Sequence, residues 1–133
     1  MTPQQKDLVR STWAQVVPIK EQAAELFYNK LFELDPSVKP MFKDDMAEQG
    51  KKLMISINTV VNALDRLEPM VPILQDMGKR HKGYGVQNHQ YATVGAALLW
   101  ALEKGLGPAF TPEVKGAWTE AYTLIATTMQ SAA

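Results

Sequence analysis

The chain has 133 residues, 46% of them apolar, with fourteen Lys and Arg balanced by fourteen Asp and Glu and no cysteine. That size suits one domain with a sizeable core and no staples, so residues 1–133 are expected to form a single domain. Zero net charge removes the basic footprint that nucleic acid or an anionic membrane surface calls for. Without cysteine, disulfides, thiolate nucleophiles, iron–sulfur clusters and zinc–thiolate sites are excluded. Met1 to Arg10 has no apolar core of signal-peptide length. No stretch reaches the roughly 18 apolar residues of a membrane span, and a cytoplasmic protein is expected.

Taken in chain order, the elements are helical, because apolar residues recur at helical intervals instead of alternating. Thr2 precedes Pro3 at a first helical position, where a missing N–H costs nothing, and Leu8, Val9, Trp13, Val16 and Val17 form one stripe. Pro18 breaks or restarts this helix. The second helix carries Ala23, Leu26, Phe27, Lys30, Leu31 and Leu34 and stops near Asp35-Pro36. Pro36 to Asp45 is short and irregular, with Met41 and Phe42 in its middle. A third long helix runs from Met46 to Asp65, with Leu53, Ile57, Val60, Val61 and Leu64 facing inward. A fourth begins near Glu68-Pro69 and ends near Lys82-Gly83, glycine being a common helix stop. A loop from Gly83 to Asn88 leads to a fifth helix over His89 to Leu106. The last starts at Thr111-Pro112-Glu113, a cap followed by proline, and reaches about Gln130. No strand is predicted, so the class is all-α.

Few residues are equipped for chemistry. No Gly-rich phosphate loop occurs, and Ser11, Ser37, Ser56 and Ser131 stand in no nucleophile-elbow context. Asp44-Asp45 reads as a solvated helix start. The two histidines, His81 and His89, do not match the usual protein-only metal spacings. His89 reads as a surface residue near a helix start. On the fourth helix Met70, Ile73 or Leu74, Met77 and His81 recur at helical spacing, which puts His81 at the end of the buried stripe. Two readings stay open there: a core histidine bonded to a backbone carbonyl, or a ligand. Gln49 and Leu53, four apart, share a helix face. Phe27, Phe42 and Leu53 suit a core or a pocket wall. Gln49 suits an exposed first turn or a pocket, and Tyr28 a half-buried boundary or a pocket.

Several stretches, taken in order, resemble a known family over nearly the whole chain. They are Leu26-Phe27-Tyr28-Asn29-Lys30-Leu31-Phe32, Asp35-Pro36 through Met41-Phe42, and Gln49 through Leu53-Met54. They continue with Lys79-Arg80-His81-Lys82-Gly83-Tyr84-Gly85-Val86, Tyr91 through Val94-Gly95, and Ala117-Trp118 through Ala121-Tyr122. The chain resembles single-domain bacterial globins, similar to the haem domain of flavohaemoglobins and to Vitreoscilla-type haemoglobin. The resemblance is greatest to the subset with a Tyr/Gln distal pair.

The resemblance implies a three-over-three helical sandwich around one haem b, with helices crossing at about 50°. It makes His81 the proximal iron ligand and places Phe42 on the haem face. Tyr28 and Gln49 would line the distal pocket, walled by Phe27 and Leu53, while Met77 and Val86 would touch the proximal side. Haem needs an imidazole oriented by an acceptor on its other ring nitrogen, and the carbonyl one turn earlier, near Met77, suits that task. Lys51, Lys52, Arg80 and Tyr84 become candidates to hold the propionates, although ordinary surface charge explains them equally well. The implied partners are oxygen, nitric oxide or another small diatomic, and the protein would be a monomer or weak homodimer. With no distal histidine, unliganded ferrous iron is expected to be five-coordinate.

There are departures. Flavohaemoglobins carry a reductase domain after the globin, whereas this chain ends at Ala133, so any reductase would be separate. Their proximal histidine is supported by a Tyr and a Glu; Tyr91 matches the Tyr, but Met129-Gln130-Ser131-Ala132-Ala133 holds no Glu. The family's His before that Tyr is Gln90 here, and its Pro after it is Ala92. Without the Glu, the electronic push behind dioxygenase and peroxidase chemistry is expected to weaken. Because the implied Tyr28 hydroxyl and Gln49 amide can both donate to bound oxygen, the leading expectation is tight, slowly released oxygen for storage, sensing or scavenging. Nitric oxide dioxygenase activity with a separate reductase is the alternative, and a haem-free helical sensor the third.

Overall fold

The computed structural model describes residues 1–42, 45–83 and 85–132. Among them the regular elements are helical: α1 (Pro3–Val16), α2 (Lys20–Leu34), α3 (Met46–Asn62), α4 (Val71–Gly83), α5 (Asn88–Leu106) and α6 (Pro112–Ala132). Short 3₁₀ turns at Val17–Ile19, Pro36–Met41, Glu68–Met70 and Gly107–Ala109 join or extend them. No helix among the described residues is long and apolar enough to cross a membrane.

The helix ends follow local chemistry. Thr2 Oγ1 accepts the Gln5 N–H at 3.1 Å and Gln5 Oε1 accepts the Thr2 N–H at 2.9 Å, a reciprocal capping box ahead of Pro3. Pro18 interrupts the helix as expected: α1 ends at Val16, the chain tightens into one 3₁₀ turn over Val17–Ile19, and α2 starts at Lys20. Asp35 closes α2 by accepting the Ser37 N–H at 3.1 Å, and Asp45 opens α3 by accepting the Ala47 N–H at 3.0 Å. Asp44 lies outside the described residues. Thr111 Oγ1 accepts the Val114 N–H at 3.2 Å at the start of α6.

α3 ends at Asn62, three residues before the end expected from its stripe. The Ala63 N–H turns back to the Val60 and Val61 carbonyls. This releases Asp65 to meet α1, where Arg10 pairs with it at 2.6 Å and Lys6 approaches at 3.9 Å. The Arg10 guanidinium, with its hydrogen bond, holds the Asp65 carboxyl below the usual carboxylate range.

α2 packs chiefly on α5, α4 on α6, and α1 on α6, with α3 crossing α2. α5 and α6 also pack on each other, and α1 meets both α3 and α5. The main core joins Val9, Trp13, Val16, Met54, Leu102 and Trp118. Buried indoles need partners for their N–H groups: Trp118 donates to Thr12 Oγ1 and Trp13 to Asn58 Oδ1, each at 2.9 Å. A second cluster gathers Phe27, Tyr28, Leu31, Val38, Ala97 and Ala101. A third gathers Leu74, Tyr91, Ala126 and Met129.

The second and third clusters do not merge, although α3 and α5 run past both. Phe42, Leu53, Val94 and Leu98 edge one; Val60, Met77 and Val86 edge the other. These apolar side chains remain half-buried. Of the two fourth-helix alternatives, Leu74 is buried and Ile73 is 51% exposed, because α6 covers the Leu74 side.

Candidate functional site

His81 occupies the last turn of α4, half-buried, with Nδ1 2.6 Å from the Met77 carbonyl oxygen. A carbonyl can only accept, so Nδ1 carries the hydrogen, and in the neutral ring Nε2 carries the lone pair used to bind metals. The acceptor is the carbonyl one turn earlier, where the sequence put it. The His81 carbonyl in turn accepts the Val86 N–H at 3.0 Å, and Gly85, at φ +92°, supplies the left-handed step that closes this corner. Val86 is thereby tied to His81 through the backbone. Met77, Val86 and Tyr91 meet in the third cluster. Tyr91 is buried, and its carbonyl accepts the Tyr122 hydroxyl at 2.6 Å.

A second group assembles on α2 and α3. The Tyr28 ring lies edge-on to Phe27 at 5.0 Å and to Phe42 at 5.3 Å between centroids. Its hydroxyl donates to the Gln49 carbonyl at 3.3 Å. Tyr28, Phe27, Phe42 and Leu53 belong to the same cluster, and Gln49 is half-buried beside them. The close passage of α2 and α3 depends on Gly50, where an added Cβ would stand 3.1 Å from the Ala24 Cβ.

Burial pushes the Tyr28 phenol up to about 12, and Tyr91 and Tyr122 upward as well. These hydroxyls stay protonated, hence donors, across the physiological range. The linkage has one sign: each folded phenol holds its proton more tightly than the unfolded one. Stability is therefore complete below the ordinary tyrosine value of 10.0 and falls as pH rises toward about 12. Thermal melts should show a lower midpoint at pH 11 than at pH 9, with a smaller drop in Tyr122→Phe. An equal drop in that variant would mean that Tyr122 is not a source of the alkaline loss.

The remaining sequence candidates stand apart. Lys52 is exposed. Arg80 is exposed and paired with Asp76 at 3.2 Å along its own helix, as Lys51 is with Glu48 at 3.5 Å. Tyr84 lies outside the described residues. His89 is exposed in the first turn of α5. Gln90 is 5% exposed and reaches Asp35 Oδ2 at 3.4 Å, tying the start of α5 to the end of α2. Sequence reasoning gave no role to Val94 or Leu98, which sit with Phe42 and Leu53; their four-residue spacing on α5 was the available signal.

Two open spaces flank these groups. One, about 420 Å³, lies beside the corner after α4 against Val86, Asn88 and Tyr91. The other, about 1040 Å³, follows the groove between α2 and α3; it reaches Tyr28 but not His81. The donor chemistry, not cavity size, therefore locates the candidate centre.

Known proteins resemble this chain in sequence and in fold. The chain is 28% identical to neuroglobin of Danio rerio and 27% identical to neuroglobin of Chaenocephalus aceratus, each match spanning 97% of this chain and 90% of the relative. The bacterial globin of Campylobacter jejuni superposes with a TM-score of 0.85 at 29% identity, covering 98% of this chain and 95% of that one. An engineered carbene transferase, described as a candidate nitric oxide dioxygenase from Rhodothermus marinus, shares the fold at a TM-score of 0.87 and 24% identity, covering 98% and 92%. The family model for globins matches residues 25–129, which takes in most of α2, then α3 through most of α6, and every candidate side chain above. The chain belongs to the globin family.

Proposed function

We propose that this globin holds one haem b between the two half-buried apolar edges, with His81 as the proximal iron ligand. Tyr28 and Gln49 would face the opposite side, and oxygen would be captured tightly and released slowly for storage, sensing or scavenging. The observation that carries the reading is the imidazole of His81 oriented by the Met77 carbonyl at 2.6 Å. Unmerged apolar edges at Phe42, Leu53, Met77, Val86, Val94 and Leu98 suit a flat, greasy group. When bound, haem supplies a ferrous iron able to take up a diatomic gas.

The chain's own residues then set how firmly a gas is kept. Tyr28 holds its proton, and its 3.3 Å bond to the Gln49 carbonyl is long enough to be exchanged for a stronger acceptor. The Gln49 amide offers a second donor and does not titrate. One such bond in a dry pocket contributes about 1–2 kcal/mol.

A Soret band on the purified protein, in the ferric and ferrous forms, tests the haem reading. Tyr28→Phe should then speed oxygen dissociation by about tenfold, as loss of one such bond requires. The wild-type rate should be flat between about pH 6 and 10, because neither distal group titrates there. An unchanged rate in Tyr28→Phe would remove this hydroxyl from ligand retention.

A second reading uses the same pocket for nitric oxide dioxygenation with a separate reductase. The likeness to a candidate enzyme of that kind favours it. Against it, buried Met129 packs with Tyr91 near the end of α6, and the segment from Met129 to Ala133 holds no Glu. Sustained nitric oxide turnover with an added reductase and reduced nicotinamide would select the second reading.

A further inference from the structure

The space of about 420 Å³ beside the corner after α4 is lined by the end of α4, the start of α5 and Gln130 of α6. Its charge has one sign: Lys82 lines it, and no carboxylate does among the described residues. Arg80 nearby is paired with Asp76, but Lys82 makes no ion pair among the described residues. The carbonyls of His81 and Lys82, which would repel an anion at the end of α4, are taken by the N–H groups of Val86 and Gly85, each at 3.0 Å. The first N–H groups of a helix have no acceptor within it. At α5 the Gln87 and Gln90 N–H groups are satisfied by each other's side chains in a capping box, which leaves that of Asn88, a lining residue, without one.

Tyr91 is an independent pointer to a ligand. It is 9% exposed, and its ring packs with Leu74, Ala126 and Met129. Its hydroxyl makes no hydrogen bond among the described residues, yet no buried side-chain oxygen there lacks a partner, so the hydroxyl reaches open space. The space that Tyr91 lines is this one. A nearly buried donor, an unpaired ammonium and a free backbone N–H therefore meet where no acceptor is supplied.

We propose that this space binds a small oxyanion of the phosphate class, held by the Lys82 ammonium, the Tyr91 hydroxyl and the Asn88 N–H. Helix N-termini and cationic side chains both favour such an anion, and hydrogen bonds to a charged oxygen are the strong ones. Bound there, the anion would bridge the end of α4 to the start of α5 across the corner tied to the His81 carbonyl. The inference goes beyond the haem reading and does not depend on it.

Inorganic phosphate, titrated by calorimetry into the full chain at an ionic strength fixed with chloride, is the probe. Cyanide is present throughout, so that any iron offers no site. One phosphate per chain should bind. Tighter binding of phenyl phosphate would identify an organic phosphate as the ligand, and equal binding the free ion. Lys82→Gln should weaken binding by about tenfold and Tyr91→Phe by about fivefold. Lys79→Gln, which removes an exposed lysine outside the lining, should leave it within about twofold. Should Tyr91→Phe fail to fold by circular dichroism, Asn88→Pro is read instead, because proline at a first helical position deletes the N–H without breaking the helix. It should weaken binding by about fivefold as well. Absence of saturable binding at millimolar phosphate overturns the site. Equal losses in Lys82→Gln and Lys79→Gln also overturn it, as does full binding in Tyr91→Phe and Asn88→Pro, since either result reduces the effect to surface charge on α4.

Discussion

His81→Ala is expected to strip the protein of haem. Substitutions that merely disturb the orientation of a metal ligand cost about 10–100-fold in affinity, and removing the ligand itself should exceed that. His81 is half-buried and bonded to the carbonyl of Met77, a residue that edges the third cluster, whereas His89 stands exposed at the start of α5. The Soret band of the variant should collapse or shift on gel filtration, and added imidazole should restore part of it by entering the space left behind. Stability should follow, since a ligand that binds the folded state at a thousand times its dissociation constant stabilises it by about 4 kcal/mol. The melting temperature of the variant should approach that of haem-free wild type. A variant that keeps the wild-type spectrum without imidazole would show that iron is held through another side chain.

Gly78→Ala should be the most damaging single methyl in the molecule. A Cβ at this position would lie 2.0 Å from the Met129 carbonyl oxygen and 2.7 Å from its carbon, so backbone would meet backbone. Neither atom can rotate away. Overpacking against a rigid neighbour costs about 3 kcal/mol. The effect reaches the candidate centre, because His81 follows Gly78 within α4 and the α4–α6 contact is among the most extensive in the fold. Denaturant melts should therefore show the loss, and haem affinity should fall in the same variant. Gly83→Ala is the matched control: a Cβ there meets nothing within 4 Å, and its effect should stay within about 0.5 kcal/mol. Equal stabilities for the two variants would mean that α4 does not sit against α6 as described.

Part of this site could be read from the chain before any contact was known. The acceptor for His81 lies four residues earlier on its own helix, within reach of any histidine in that geometry. The pairing of Tyr28 with Gln49 could not be obtained from spacing, since 21 residues separate them; the family resemblance supplied it. Gln90 read as a departure from the family pattern, and the structure shows a buried amide joining two helix ends. The groove between α2 and α3 had no legible signal, because its lining comes from α1, α2 and α3 together.

The sequence by itself determined the helical class, the starts of α1 and α6 and the alignment of His81 with Met77. Each rests on interactions spanning one turn, such as Thr2 with Gln5 or Thr111 with Val114. The tertiary structure alone decided where α3 ends, which of Ile73 and Leu74 is buried, and how near α4 approaches α6. Asp65 leaves α3 to meet Arg10 on another helix, α6 covers one of two adjacent apolar residues, and Gly78 admits the Met129 carbonyl. Such choices depend on surfaces brought together from distant parts of the chain, and no local pattern of residues encodes which surface will arrive.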